Sequence, residues 1–116
     1  MTGRPCVFCG IVAHTEPSEV LHEDEEVIVF RNHLRWAPVM LLAIPKAHMT
    51  QTQLWIDPVI AKVASVAAAM GAEHCPGGYR LLANFGPDAM QSQEHGHMHI
   101  VGGMHLGPYV RRSSST

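Results

Sequence analysis

The stretch SQEHGHMHIVGG, residues 92–103, sets histidine at every second position and ends in an apolar run with a glycine pair. The three histidines are His95, His97 and His99. Because side chains alternate across a β-strand, we expect all three rings on one face of a strand over residues 95–101. Met98 and Ile100 would form its opposite, apolar face. Two histidines in such a strand could simply form its solvent-exposed polar face. Three histidines in strict alternation instead indicate a functional site.

Length and composition indicate one compact domain. The 116 residues are 47% hydrophobic and 16% charged, which is typical of a globular fold. We predict a single domain at residues 1–110 and a flexible tail at residues 111–116. A formal charge of −2 gives no electrostatic case for a nucleic-acid partner. The chain has neither a membrane-length apolar run nor the layout of a signal peptide, so we predict a cytoplasmic protein.

Apolar patterning and turn residues predict an α+β fold with a mostly antiparallel five-stranded sheet. The predicted strands are Val20–His22, Glu26–Phe30, Val39–Ile44, Tyr79–Asn84 and His95–Val101. One long helix is predicted over Pro58–His74, with Asp57 as its N-cap, and a short helical segment over Cys6–Ala13. The long helix has an apolar face made of Val59, Val63, Val66, Ala67 and Met70.

A row of histidines suits two kinds of chemistry. A neutral imidazole is a good nucleophile near pH 7, so the middle ring, His97, could attack phosphorus. Its neighbours could donate hydrogen bonds to the phosphate oxygens as charge develops. The other use is metal binding, because imidazole is a common metal ligand.

Four segments together resemble the histidine triad (HIT) family. Residues 95–101, HGHMHIV, resemble the family's His-x-His-x-His motif followed by apolar residues. Residues 39–48, VMLLAIPKAH, resemble its strand ending in Ile-Pro-Lys-x-His, and Asn84-Phe85-Gly86 and Gln91-Ser92 resemble the loop and the polar pair before the triad. The similarity covers about residues 6–105. It points to the nucleotide-binding branch, compact homodimers that hydrolyse nucleoside 5′-phosphoramidates, with purine nucleotides preferred.

The resemblance implies a role for each matching residue. His97 would form a covalent nucleotidyl-histidine intermediate that water then hydrolyses. His95 and His99 would flank His97, contacting phosphate oxygens or fixing its orientation. Gln91 and Ser92 would reach the phosphoryl group and the departing amine or phosphate. Asn84 would contact phosphate or ribose. The nucleoside pocket would be lined by Val7, Phe8, Ile11, Phe30 and Asn32, whose apolar members could equally be ordinary core.

Three positions depart from the family pattern. Asn32 stands where the family commonly has Asp, so it can still hydrogen-bond a ribose but adds no charge. Met40 stands where many members have His, which removes or replaces a hydrogen bond behind the triad. Gln93-Glu94 replace an apolar or aromatic pair, and Glu94 adds an anion near the expected phosphate site. None of these changes removes the proposed nucleophile.

The Cys6-Val7-Phe8-Cys9 segment indicates a second site. A Cys-x-x-Cys spacing lets both thiolates reach one tetrahedral ion, although two free thiols or a labile disulfide remain alternatives. By resemblance to family members that carry this pair, zinc would be completed by His48 and His95, and His95 would then be a structural ligand. Cys75, alone at the end of the long helix, is expected to pack in the core.

These motifs lead to two hypotheses about function and to one about the oligomeric state. The first hypothesis is a nucleotidyl hydrolase acting through His97, with dinucleoside polyphosphates as the alternative substrate class. A non-catalytic nucleotide- or zinc-binding module of the same fold is the second. A homodimer is expected by resemblance, and the long helix offers a second face of small residues, namely Ala61, Ala64, Ala68 and Ala72. The partners expected are therefore a nucleotide and a second copy of the chain, with no membrane.

Overall fold

The computed structural model describes residues 6–108. Within that range the elements follow in the order α1 (Val7–Val12), β1 (Val20–Glu23), β2 (Val27–Arg31), β3 (Val39–Pro45), α2 (Gln51–Ile56), α3 (Val59–His74), β4 (Tyr79–Leu82) and β5 (Met98–Gly102), with a 3₁₀ turn at Pro87–Ala89. The predicted boundary between a domain at 1–110 and a tail at 111–116 lies outside these residues. None of the described helices has the length and hydrophobicity that crossing a bilayer requires.

The five strands form one sheet in the order β1-β2-β3-β5-β4. Every neighbouring pair is antiparallel. Strand β5 therefore lies between β3 and β4, and its register sets His99 opposite Leu42 of β3. The predicted α+β class with an antiparallel five-stranded sheet is confirmed.

Both faces of the central strands are covered, which explains why β3 is a continuous apolar run rather than an alternating one. Helix α3 packs on one face against a cluster that includes Val27, Val29, Leu41, Ala43, Met98 and Ile100. Helix α1 packs on the other, where Phe8 and Ile11 contact Ile28, Phe30, Leu42 and Ile44. His99, the partner of Leu42, lies on the α1 face. The site described below is therefore on the face away from α3.

The apolar face predicted for the long helix is confirmed. Val63, Val66 and Ala67 are buried, and the other predicted members, Val59 and Met70, pack against the same core cluster. The helix begins at Val59, one residue later than predicted, and Pro58 rather than Asp57 occupies its N-cap position. Asp57 still contacts the start of the helix, because its Oδ1 accepts a hydrogen bond from the Val59 amide at 2.8 Å. Cys75 is 3% exposed, as expected for a packing residue.

Helix α2 was not expected from the sequence. Thr50 accepts a hydrogen bond from the Gln53 amide, and the Gln53 side chain accepts one from the Thr50 amide, so the two residues form a capping box. Thr-x-x-Gln before the buried Leu54 is the signal that could have predicted the helix. The short helix matters because it starts beside the histidines.

The predicted strand over His95–Val101 is wrong in its first half, because β5 begins at Met98. The backbone before it bonds to the segment that leads into α2. The Gly96 amide donates to the Met49 carbonyl at 2.7 Å, and His95 forms an isolated bridge with Thr50. Of the three histidines, only His99 lies on a regular strand. Strand β4 is also shorter than predicted, since it ends at Leu82 rather than at Asn84.

Candidate active site

His97 is buried and held through both its backbone and its ring. It is 3% exposed, and its amide donates to Oε1 of Gln51 at 2.8 Å. Its Nδ1 lies 2.9 Å from the carbonyl oxygen of His95. A carbonyl can only accept, so Nδ1 carries the proton and Nε2 keeps its lone pair. Burial lowers the pKa of His97, which keeps the ring neutral at pH 7.

His99 lies beside His97 at the start of β5. The two ring centroids are 5.1 Å apart at an angle of 68°. Burial, and secondarily the charge that His97 would carry, lower the pKa of His99 to about 4. Both rings are therefore neutral in the physiological range, and a proton on His97 would disfavour one on His99.

The two rings open onto a cavity of about 760 Å³, a size typical of sites for small ligands. Its apolar wall comes from α1 and the sheet, through Val7, Phe8, Ile11, Phe30 and Leu42. Phe8 packs edge-on against the ring of His97, with centroids 5.5 Å apart. The polar lining includes Asn32, Ser92, Gln93, His97 and His99. The cavity thus joins an apolar compartment to the imidazole pair.

Asn32 presents one half of its amide to the cavity. Its side chain is 7% exposed, and its Oδ1 accepts a hydrogen bond from the Leu34 amide at 3.0 Å. The oxygen is thereby occupied in the turn that follows β2. The side-chain nitrogen, which can only donate, is available to donate a hydrogen bond to a ligand.

The structure does not bring every predicted site residue to the cavity. His95, Asn84 and Gln91 are absent from its lining. Gln91 is engaged within its own loop, since its Oε1 accepts from the Gly86 amide at 2.7 Å and its Nε2 donates to the Gln93 carbonyl at 2.9 Å. Glu94 is exposed and also lies outside the lining. Met40, the third departure, is buried against Ala37 and Val101.

The sequence did not identify part of the lining. The missed residues include Gln93, the segment at 16–19 and, apart from the predicted Asn32, the segment at 31–35. The second segment follows the predicted Phe30 directly, so its position beside a pocket residue was the available signal. It adds Arg31 and Arg35 to the cavity, but Arg31 is paired with Glu19, its Nε lying 3.1 Å from Oε1.

Two cysteines and two histidines converge behind the cavity. The ligand atoms of Cys6, Cys9, His48 and His95 all lie within 4.8 Å of one another. Cys6 Sγ is 3.5 Å from Nδ1 of His95, and Cys9 Sγ is 3.2 Å from Nδ1 of His48. Donor atoms around a tetrahedral zinc ion are separated by about 3.3–3.8 Å. All three cysteines are free, so no disulfide competes for the pair.

The ring of His95 has the tautomer that a metal ligand needs. Its Nε2 lies 2.8 Å from the carbonyl oxygen of Pro45, so Nε2 carries the proton and Nδ1 presents its lone pair to the cysteines. His95 is 0% exposed. Burial, and then the neighbouring Cys6 thiol, raise the pKa of Cys9, a shift that a bound cation reverses. The donor set fits a zinc ion, which would supply a structural cross-link between α1, the segment after β3 and His95.

His95 connects the two sites. Its ring belongs to the Cys/His cluster, while its backbone carbonyl accepts the Nδ1–H of His97. Whatever fixes the ring of His95 therefore also helps to fix the orientation of His97. The cavity and the Cys/His cluster are therefore linked through His95.

Comparison with known proteins identifies the class. The family model for the HIT domain matches residues 13–106, so the chain belongs to the HIT domain family, as the motifs predicted. It is 34% identical over 110 residues to the 14 kDa zinc-binding protein of Zea mays, covering 88% of this chain and 84% of that protein. It is 32% identical over 108 residues to the Adenylylsulfatase HINT1 of Arabidopsis thaliana, covering 88% and 74%. A HIT family hydrolase from Clostridium thermocellum matches the fold with a TM-score of 0.82 at 34% identity, covering 95% of this chain and 100% of that one.

Proposed function

We propose that this protein is a nucleotidyl hydrolase that cleaves nucleoside 5′-phosphoramidates through a covalent intermediate on His97. The observation that carries the proposal is the hydrogen bond from Nδ1 of His97 to the His95 carbonyl, because it leaves Nε2 as a nucleophile. That nitrogen belongs to a neutral, buried ring in the lining of a cavity of nucleotide size. The relationship to HIT family hydrolases supports the same reaction class.

The chemistry divides into two displacements at phosphorus. In the first, the lone pair of Nε2 forms a bond to the α-phosphorus, and the bond to the leaving nitrogen breaks with its electron pair. The leaving nitrogen takes up a proton, which the Ser92 hydroxyl can relay from solvent. In the second, water attacks phosphorus, the bond to Nε2 breaks with its electron pair returning to the ring, and the proton of the attacking water passes to solvent. The His95 carbonyl stabilises the positive charge that the ring carries between the two steps.

Binding is assigned to the rest of the lining. Phe8 and Phe30, whose centroids are 5.4 Å apart, with Val7 and Ile11 provide an apolar surface for a nucleoside. The free amide nitrogen of Asn32 can donate to a ribose hydroxyl. His99 can contact a phosphate oxygen beside His97. Neither Asn84 nor Gln91 lines the cavity, so their direct contacts with the nucleotide stay predictions.

The test is AMP release from adenosine 5′-phosphoramidate by the purified protein. Diadenosine tetraphosphate and adenylyl sulfate are the comparison substrates, the first for the alternative activity and the second because a relative is named as an adenylylsulfatase. We expect the phosphoramidate to be hydrolysed with the highest kcat/KM. Tight AMP binding without turnover of any of the three would instead support a non-catalytic nucleotide-binding module.

We also propose that the Cys/His cluster binds one zinc ion per chain. The four converging donor atoms and the tautomer of His95 support this assignment, as does the relationship to a zinc-binding protein of Zea mays. Elemental analysis of protein purified without chelator should give about one zinc per chain. Cys6→Ser and Cys9→Ser should lose the metal and unfold at lower temperature, because a structural ion contributes its binding free energy to folding. Metal-free protein whose stability a chelator leaves unchanged would exclude the site.

A further inference from the structure

We propose that Gln51 is a positioning residue that holds the backbone of His97 in place for attack, an inference that rests on the hydrolase proposed above. Gln51 is the first residue of α2 and is 2% exposed. Its Oε1 accepts the hydrogen bond from the His97 amide at 2.8 Å. Its Nε2 donates to the carbonyl of Asn84 at 3.1 Å. One buried side chain therefore joins the proposed nucleophile to the loop after β4.

The amide of His97 needs this partner because the chain has not yet entered the sheet. Strand β5 begins at Met98, so His97 lies outside its ladder of backbone hydrogen bonds. The preceding amide, that of Gly96, bonds to the Met49 carbonyl at 2.7 Å. Gln51 extends this pairing by one residue with a side-chain oxygen in place of a backbone carbonyl. Without it, the buried His97 amide would lose its acceptor.

The side-chain nitrogen of Gln51 bonds to Asn84, which lies in the loop between β4 and the cavity residues Ser92 and Gln93. The loop after Asn84 is in turn braced by Gln91, which bonds to the Gly86 amide and the Gln93 carbonyl. Gln93 and its neighbour Ser92 line the cavity. Gln51 thus links the backbone of His97 to the loop that carries Ser92 and Gln93 into the cavity lining.

Helix stability alone does not explain a glutamine at this position. The N-terminus of α2 is capped by Thr50 and Gln53, and the helix is anchored by Leu54, which is 0% exposed. An apolar side chain at position 51 would fit those needs without the cost of burying an amide. Both polar atoms of Gln51 are instead hydrogen-bonded to backbone groups of the site.

The experiment compares Gln51→Met with Gln53→Met in the full chain. Gln51→Met has similar length but can neither accept from His97 nor donate to Asn84. Gln53→Met is the matched control, since it removes one half of the capping box two residues away and leaves both of those bonds intact. The readouts are kcat and KM for phosphoramidate hydrolysis, and the hydrogen-exchange rate of the His97 amide measured by NMR. Gln51→Glu keeps an acceptor oxygen for His97 and serves as the conservative variant.

For Gln51→Met we expect kcat to fall about 10- to 100-fold, as misplacement by about an ångström does, with KM changed by less than about threefold. The His97 amide should exchange faster while that of Gly96 stays protected. Gln53→Met should change neither quantity, and Gln51→Glu should keep the His97 amide protected. If Gln51→Met does not fold, Gln51→Asn, whose amide is too short to reach both groups, replaces it with the same expectations.

Two results would overturn the inference. One is an unchanged hydrogen-exchange rate of the His97 amide in Gln51→Met. The other is faster exchange of that amide in Gln51→Met together with a wild-type kcat. Failure of the hydrolase proposal is separate, because it would appear as a wild-type protein without turnover. In that case the exchange of the His97 amide still decides whether Gln51 holds it.

Discussion

At the scale of single residues, the site depends on which nitrogen of each imidazole carries the proton. His95 and His97 use backbone carbonyls, of Pro45 and His95 respectively, to fix opposite tautomers. His95 consequently turns the lone pair of Nδ1 toward the cysteines, and His97 keeps its lone pair on Nε2. Two chemically identical side chains two positions apart are thereby suited to the two different roles proposed for them, metal ligand and nucleophile.

The depressed pKa of His99 predicts how stability depends on pH. The ring titrates at about 4 in the folded chain and at 6.5 in the unfolded chain. Between these values the unfolded chain binds more protons, so the free energy of unfolding should fall as the pH is lowered from 6.5 toward 4. Above pH 6.5 this ring should contribute no pH dependence.

Urea unfolding of the wild type and of His99→Gln at pH 7.5 and at pH 5 measures this effect. The wild type should lose more stability between the two pH values than His99→Gln, in which the titrating ring is absent. Equal losses in the two proteins would show that His99 does not carry the depressed pKa.

At the scale of secondary-structure elements, the sequence predicted those strands and helices that apolar periodicity and turn residues mark. The run Val39–Ile44 was recognisable as a central strand, which the structure extends to Pro45, and the valine and alanine spacing of α3 identified its buried face. Helix α2 was missed even though Thr50 and Gln53 form a capping box, because a six-residue helix offers little periodicity. The boundary of β5 could not be predicted, since it depends on bonds from residues 96 and 97 to residues 49 and 51, which are remote in sequence.

The packing of α3 on β4 gives a second prediction. Glycine inside a helix normally destabilises it relative to alanine, so Gly71→Ala should stabilise α3 by about 1 kcal/mol on propensity alone. A Cβ on Gly71 would, however, lie 2.4 Å from the ring of Tyr79. That ring cannot retreat freely, because its hydroxyl donates to the Ala68 carbonyl at 3.0 Å. Gly71→Ala should therefore lower the melting temperature.

A double-mutant cycle isolates this contact. In a Tyr79→Ala background the same Gly71→Ala change should be neutral or stabilising, since the ring is gone. Destabilisation of equal size in both backgrounds would place its origin elsewhere than in the contact between α3 and β4.

At the scale of the whole molecule, the two edges of the sheet differ. Strand β1 carries one edge and β4 the other. Leu81 and Leu82 on β4 are exposed, as are Phe85 and Met90 in the loop that follows it. On α3, Ala61 and Ala72 are exposed, whereas Ala64 packs partly against the chain's own core. An apolar edge with few charges invites pairing with another strand.

We predict that the protein is a homodimer joined through β4 and α3. Sedimentation equilibrium at micromolar concentration should give about twice the chain mass of 12.7 kDa. Leu81→Lys should shift the equilibrium toward the monomer, because it puts a charge on the β4 edge. Val20→Lys is the control, since Val20 is equally exposed at 38% but lies on the β1 edge. A monomeric wild type, or dissociation by Val20→Lys alone, would contradict the predicted interface.

If Nε2 of His97 accepts the nucleotidyl group, the covalent adduct should be detectable on that residue. The protein is mixed with adenosine 5′-phosphoramidate, quenched in alkali within the first turnover, digested and analysed by peptide mass spectrometry. We predict one adenylyl group on the peptide that contains His97, located on that residue. His97→Ala should retain its circular dichroism spectrum and bind AMP, form no adduct, and lose turnover by several orders of magnitude. Near-normal hydrolysis by His97→Ala, or an adduct on a different residue of the wild type, would show that His97 is not the nucleophile.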